Sequence, residues 1–497
     1  MKYDTHVKNP FVLENYFLKK ESEQSPLPQF NQVKKDLPQP YWEGHDQALT
    51  CYWKTWELAF KNLRQASVGS GFVSNFIDTA FNNCLFMWDS AFIVMFGRYG
   101  SRVFNFQKTL DNFYSHQHRD GFICRELQES DGEDRFERFD PASTGPNIMP
   151  WAEWEYFLNF GDLERLKNVF PCLVAFNQWF GTYRSWPDGT YYSSGWGCGM
   201  DNQPRVRDPN SDPAFSHGHL SWLDTTLQQI FAGKILLQMA AVLNRTSEIK
   251  DIQEEVITLS KFVNEKMWDN ATAFYYDRKK EGQLLGLKSI GAYWALLAGI
   301  VPEHHQSRFI GHLKNPREFN RPHLVPTLSA DDPAYSREGS YWLGSVWAPT
   351  NYMVLQGLRK IGQEDLAFQI GENHHRNVVE VFEKTGTLWE NYAPEQISQG
   401  NHSRKDFVGW TGLPPIAVLF EYIFGLQPDV PHNRIILNVN VLEEHGVTAY
   451  PYGPHGVVDF RCAKRKVKTE EPSVEFKSTI PIEVVIKWDG GKKIKKI

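Results

Sequence analysis

The alternating length of its connections is what most constrains this chain. Apolar residues recur at helical spacing in about twelve segments. They lie near 47–63, 84–98, 101–115, 147–160, 162–183, 218–243, 248–268, 288–299, 303–313, 341–361, 364–383 and 405–424. Connections leaving the second, fourth, sixth, eighth and tenth segments are only a few residues long. Those leaving the odd-numbered segments run to roughly 18 to 35 residues, a length uncommon unless the loop is functional. Alternate connections of an antiparallel helical run emerge at opposite ends, so the long ones share one face. The expected fold is mainly α: an (α/α)6 toroid or barrel over residues 47–426 with a built-up rim. A solenoid of helix pairs would give the same count, but it normally repeats a sequence unit, and none recurs here at a fixed period.

After Gln427 the pattern changes. RIILNVNVL, GVTAYPYG, GVVDFRCAKR, PSVEFK and PIEVVIKW are short β-branched runs between turn residues. They predict a small β-sandwich-like domain over 429–497. Residues 1–46, rich in Pro, Gln and Lys, are expected to pack on the barrel as an extension. The lysines near the C-terminus read as a solvated end.

A length of 497 residues allows a large core. A net charge of −6 argues against nucleic acid or anionic lipid as the main partner. No apolar stretch approaches the roughly twenty residues of a membrane span, so no membrane insertion is expected. The first twenty residues lack an apolar core of the signal-peptide kind. The expectation is a cytoplasmic protein, or a periplasmic or secreted one if a signal peptide has been removed. Six cysteines without a CxxC pair read as free thiols. Nothing in the pattern fixes an oligomeric state.

Aromatic residues make up 14% of the chain, with 17 Trp, and several stand beside acids in predicted loops. The segments are LFMWDSAF, HQHRDGFICRE, WGCGMDNQPR, MWDNATAFYYD, YWLGSVWAPTNY and WENYAPE. Flat rings accept the CH face of a pyranose, and amides and carboxylates bind its hydroxyls. Acid hydrolysis of a glycoside needs two carboxyl groups flanking one bond, a proton donor and a water-activating base. Asp201 is the candidate general acid, beside a Met200 that would exclude water and raise its pKa. Glu390 is the candidate base, with Glu395 its nearest rival.

Asp89, Arg125 and Glu126 are candidates to hold sugar hydroxyls, and Trp88, Trp196 and Trp347 to stack on the ring. Gln117, Asn202, Tyr341 and Trp410 join them as expected substrate contacts. Arg205 would bind a hydroxyl or an anionic leaving group, or else hold its loop through a salt bridge. The pairs His116/His118 and His217/His219 lack the carboxylate or Cys pattern that completes a zinc site. No metal or cofactor is expected, although loop oxygens leave room for a structural calcium ion. No P-loop or GxSxG occurs, and Gly197-x-Gly199 lacks the rest of a dinucleotide fingerprint.

These segments resemble those of glycoside hydrolase family 63 and its clan relatives, the family 37 trehalases. GMDNQPR is similar to the family's acid loop, and WENYAPE followed by FVGWTGL to its base segment. DGFICRE, YWLGSVWAPTNY, FYYD and KSIGAYWALLAGI resemble further family stretches, in order, over roughly 86–426. The resemblance implies an (α/α)6 barrel, hydrolysis of α-glucosides or α-mannosides with inversion, Asp201 as acid and Glu390 in preference to Glu395 as base. Cys124 stands where the family has proline, and Leu343 and Ser345 where it has arginine and proline. The chain also lacks the N-terminal β-sandwich of longer members, as in the short bacterial branch that acts on small glycosides. The expected function is an inverting, exo-acting α-glycosidase on a small carbohydrate, an α-glucoside first. A sugar epimerase or lyase on the same ring, and a non-catalytic carbohydrate-binding protein, are the rivals.

Overall fold

The structure, a computed structural model, describes residues 7–23, 25–79, 82–206 and 210–497. The first six residues of the expected N-terminal extension lie outside it. Among the described residues, and apart from short turns, twelve helical segments run in order along the chain. They are α1 (Asp46–Lys61), α2 (Met87–Gly97), α3 (3-10 turns over Phe106–Leu110, then Asp111–Ser115), α4 (Met149–Phe160), α5 (Leu163–Tyr183) and α6 (Leu223–Val242). Then come α7 (Lys250–Lys266), α8 (Ile290–Tyr293 in 3-10 form, then Trp294–Leu297), α9 (Glu303–Gly311), α10 (Ala348–Lys360), α11 (Glu364–Thr385) and α12 (Leu413–Ile423, wound as a π-helix). Four expected starts were too early: the segments expected from 101, 218, 341 and 405 become helical at Phe106, Leu223, Ala348 and Leu413, the last after a 3-10 turn at Trp410–Gly412.

The even-numbered helices form an inner layer. Each touches the next, α2 to α4, α6, α8, α10 and α12, and α12 returns to α2. Burial explains the layering. Every residue of α2 and α12 is buried, whereas α7 buries only Ile252, Val256, Leu259 and Val263, one stripe at helical spacing. A helix that is apolar all round belongs inside, and one with a single stripe belongs outside. The molecule is thus mainly helical, with a sheet region at the C-terminal end.

That region contains two four-stranded sheets. With β1 at Gln39–Trp42, β2 at Leu426–Asp429, β3 at Arg434–Asn438, β4 at His445–Tyr452, β5 at Gly456–Cys462, β6 at Val474–Ser478, β7 at Glu483–Trp488 and β8 at Gly491–Lys496, the orders are β1-β4-β5-β6 and β2-β3-β7-β8. Only the β3–β7 pairing is parallel. β1 comes from the N-terminal segment, with Tyr41 opposite Gly446, and its Pro40 is tolerated because the strand lies at an edge. The lysine-rich end is no ragged tail. It is the edge strand β8, with Ile494 opposite Val485 and Lys493 paired to Glu471. Lysines on such an edge discourage pairing with another chain.

Candidate active site

The long loops all follow odd-numbered helices, so they gather at the N-terminal ends of the inner layer. Five of the six line one cavity of about 300 Å³. The loop after α1 and the start of α2 supply Asn82, Phe86, Trp88 and Asp89, and the loop after α3 supplies Arg125, Glu126, Arg135 and Phe136. Trp196, Gly199 and Asp201 come from the loop after α5, Tyr341 and Trp342 from that after α9, and Glu390, Arg404 and Trp410 from that after α11. The loop after α7, with MWDNATAFYYD, supplies none of these lining residues.

Local pairing sets each side chain. Cys84–Phe86 pairs antiparallel with Glu126–Gln128, Phe86 opposite Glu126, and the Met87 N–H donates to Arg125 O at 2.8 Å. Trp88 and Asp89 therefore stand next to Arg125 and Glu126. In the loop after α5, Ser194 caps the short turn Gly195–Cys198. Gly199 then takes φ +77°, and a Cβ there would press on the Trp88 indole at 3.2 Å. A Cβ on Gly195 would lie 2.3 Å from Asp201 O. These two glycines let the turn close tightly and deliver Asp201 to the cavity.

Glu390 is held on all sides. Its N–H donates to Arg404 O at 3.0 Å, and the Trp410 indole N–H donates to its carbonyl at 2.9 Å. The Tyr341 hydroxyl donates to Oε1 and the Arg404 N–H to Oε2, both at 3.2 Å. Paired N–H···O bonds between Val346 and Tyr392 join the Tyr341 loop to the Glu390 loop.

Burial dominates the electrostatics. It pushes Asp201 up to about 6 against the nearby Arg125 charge, with Glu126 adding to the rise. It pushes Glu390 up to about 7 against Arg404 and the Tyr341 hydroxyl, with the Asp201 charge raising it further. Asp89 is raised well above its ordinary value by burial, then by the Asp78 and Glu390 charges, against Arg125. Two buried atoms of the lining, Asp89 Oδ1 and Trp88 Nε1, have no hydrogen-bond partner among the described residues. Such orphaned groups are costly unless a ligand hydroxyl or water meets them.

Nine of the thirteen expected site residues line this cavity: Asp201, Glu390, Trp88, Asp89, Arg125, Glu126, Trp196, Tyr341 and Trp410. Four expected substrate contacts lie elsewhere and are corrected. Gln117 is buried and donates to the carbonyls of Gly121 and Cys172 while accepting from Asn15, which ties down the N-terminal segment. Arg205 makes a buried two-bond pair with Asp224, at 2.8 and 2.7 Å, under the Trp222 ring. It holds its loop by a salt bridge. Asn202 binds the backbone of Ser340 and Trp342. Trp347 is fully buried behind Trp342, the two indoles stacked at 3.8 Å.

Sequence reasoning missed Phe86, Gly199 and Trp342, which lie inside the quoted motifs, and Asn82, Arg135, Phe136 and Arg404, which lie outside them. Glu395 separates cleanly from Glu390. Arg321 pairs with it at 2.7 and 2.9 Å and the Tyr335 hydroxyl donates to it at 2.8 Å. Burial would raise its pKa, but these donors outweigh it and hold the group low. His116 faces the carbonyls of Asn112 and Ser70, and His118 pairs with Asp134. No histidine lines the cavity among the described residues.

Comparison with known proteins agrees with this geometry. A family model for the mannosylglycerate hydrolase MGH1-like glycoside hydrolase domain matches residues 83–411. An uncharacterized protein of Borreliella burgdorferi is 24% identical over 360 residues, covering 70% of this chain and 73% of that one. A probable mannosyl-oligosaccharide glucosidase of Schizosaccharomyces pombe is 25% identical over 50% of this chain, which spans 34% of the longer relative. The fold is shared with the GH63 mannosylglycerate hydrolase of Thermus thermophilus in complex with glucose. The TM-score is 0.60 at 20% identity, over 74% of this chain and 99% of that one. The matched span contains Asp201, Glu390 and every lining residue of the cavity except Asn82. The family resemblance read from the loop motifs is therefore shown, and this chain is a glycoside hydrolase belonging to the MGH1-like family.

Proposed function

We propose that the protein is an inverting, exo-acting α-glycosidase built on an (α/α)6 toroid, with Asp201 as general acid and Glu390 as general base. The observation that carries this is the arrival of both carboxylates, from different loops, in one cavity. The cyclic run of inner-helix contacts supports the toroid. A cavity at the small end of ligand pockets suits one sugar ring, hence action at a chain end. Asp89 and the Trp88 N–H would meet hydroxyls of that ring, and Trp196 and Trp342 offer faces to it. Asp201 protonates the glycosidic oxygen while Glu390 takes a proton from a water on the far side of the ring. Inversion calls for carboxyl groups about 6.5–9.5 Å apart. Two carboxylates suffice for this chemistry, so the reading needs no metal or cofactor.

The proton must sit on the right group. Burial raises both groups, Asp201 to about 6 and Glu390 to about 7, and the working form is the one with the proton on Asp201. A water donating to Glu390 and a glycosidic oxygen accepting from Asp201 both favour that form. α-Glucosides are the first substrates to test. The Arg125, Arg135 and Arg404 guanidiniums along the cavity would suit an aglycone bearing a carboxylate, so glycosylglycerates belong in the same panel. The test is turnover of α-glucosyl fluoride, with NMR of the first-formed anomer. β-Glucose from wild type, loss of turnover in Glu390→Gln, and loss in Asp201→Asn on an O-linked α-glucoside, whose leaving oxygen needs a proton, are expected. α-Glucose first, or equal turnover in the variants on those substrates, refutes the assignment.

A further inference from the structure

The residue after the acid does not face the cavity, yet it holds the group that touches the base. The Asn202 side chain brackets Tyr341: its Nδ2 donates to Ser340 O at 3.0 Å, and its Oδ1 accepts from the Trp342 N–H at 2.9 Å. Between these two anchors the backbone is forced. Ser340 takes φ +32° and Tyr341 φ +65°, a region that a bulky aromatic residue rarely enters and that persists only where its surroundings over-determine it. The Tyr341 N–H donates to Asn401 O at 3.1 Å, and its ring lies 5.5 Å from that of His402. This strained turn is what places the phenol hydroxyl 3.2 Å from Glu390 Oε1.

We propose that Asn202 is a positioning residue that locks the Tyr341 turn, so that the loop bearing the acid sets the hydrogen bond received by the base. The inference rests on the assignment of Glu390 as base. Without the bracket, Tyr341 relaxes towards ordinary backbone angles and its hydroxyl leaves the carboxylate. That hydroxyl favours the ionised form of Glu390. The other groups acting on Glu390 are the Arg404 amide and guanidinium, Asp201 and Asp89. The Asn202 side chain bonds to the Tyr341 turn rather than to any of these, so it reaches Glu390 through that turn.

The experiment is the pH profile of kcat/KM on α-glucosyl fluoride for wild type, Tyr341→Phe, Asn202→Ala and the double variant, with Glu390→Gln identifying the limb that reports the base. Loss of one hydrogen bond to a charged group moves that limb up by about one unit in Tyr341→Phe. Asn202→Ala is expected to move it in the same direction, and the double variant no further than Tyr341→Phe. Should the alanine variant not fold, Asn202→Thr keeps an acceptor for the Trp342 N–H but no amide donor for Ser340, and carries the same expectation. A limb left in place while KM rises would make Asn202 a substrate contact, and additive shifts would sever it from Tyr341. Either result overturns the inference. Full activity of Glu390→Gln would instead remove the base assignment beneath it, a failure visible on its own.

Discussion

The inner helices hold buried carboxylates at both ends and treat them oppositely. At the C-terminal ends, Glu421 of α12 receives hydrogen bonds from Arg98 at 2.7 Å, the Tyr99 hydroxyl at 2.7 Å, the Tyr352 hydroxyl at 2.8 Å and Gln356 at 3.1 Å. At the N-terminal ends, Asp89 keeps an orphaned oxygen and Glu390 receives two longer bonds. Asp201 lines the cavity with them. A surrounded carboxylate is structural. A buried carboxylate left short of donors is kept at a cost in stability, and such sites are where proton transfer is arranged.

The contrast breaks most visibly in activity. Glu390→Gln and Asp201→Asn are each expected to lower kcat/KM on a natural glycoside by about 10³-fold or more, with melting temperature held or raised. A variant that melts early would mean the carboxylate was structural after all. The mirror experiment is Glu421→Gln. It removes the nearer of two carboxylates from the buried Arg98, Glu155 at 3.5 Å being the other, and is expected to cost about 1.5–3 kcal/mol in urea unfolding. Its folded fraction should keep the wild-type kcat, since Glu421 lies far along the helix from the cavity.

How much of this was legible depends on what carried the signal. The twelve helices and their alternating connections were readable because α2 and α12 are apolar all round while α7 shows a single stripe. Asp201 and Glu390 were readable because aromatic, amide and acidic residues cluster only in loops of one face. The choice between Trp342 and Trp347 was not. Two stacked indoles look alike in a sequence, and the positive φ angles at Ser340 and Tyr341 that turn one of them to the cavity involve no glycine to announce them. Gln117 misled, and Arg205 stood between a substrate role and the salt bridge it makes, for a shared reason: a polar side chain in a functional loop can serve the loop's own backbone or ion pairs. β1 was missed because four residues containing a proline make a strand only against a partner some four hundred positions away.

The same contrast predicts how stability varies with pH. In an unfolded chain Asp and Glu ionise near pH 4, whereas in the fold Asp201 holds its proton to about 6 and Glu390 to about 7. A raised acid stabilises the fold while protonated, below about pH 4, and that contribution is lost as pH climbs through the folded value. Relative to wild type, Glu390→Gln is therefore expected to gain roughly 1–3 kcal/mol between pH 4 and pH 7.5, read from urea unfolding at fixed salt.

The histidines oppose this. Burial lowers His374 to about 3, His375 to about 4 and His445 to about 4, so each stabilises the neutral-pH fold and that support is lost as pH falls from about 6.5 through the folded values. His445→Gln is expected to flatten the acid side of the stability curve by about 1 kcal/mol per pH unit or less, leaving the alkaline side and the activity profile unmoved. His445 packs against Phe424 and, edge-on, Phe460, in the sheet region. A change in the activity limbs on its substitution would mean that the two ends of the inner helices are not independent.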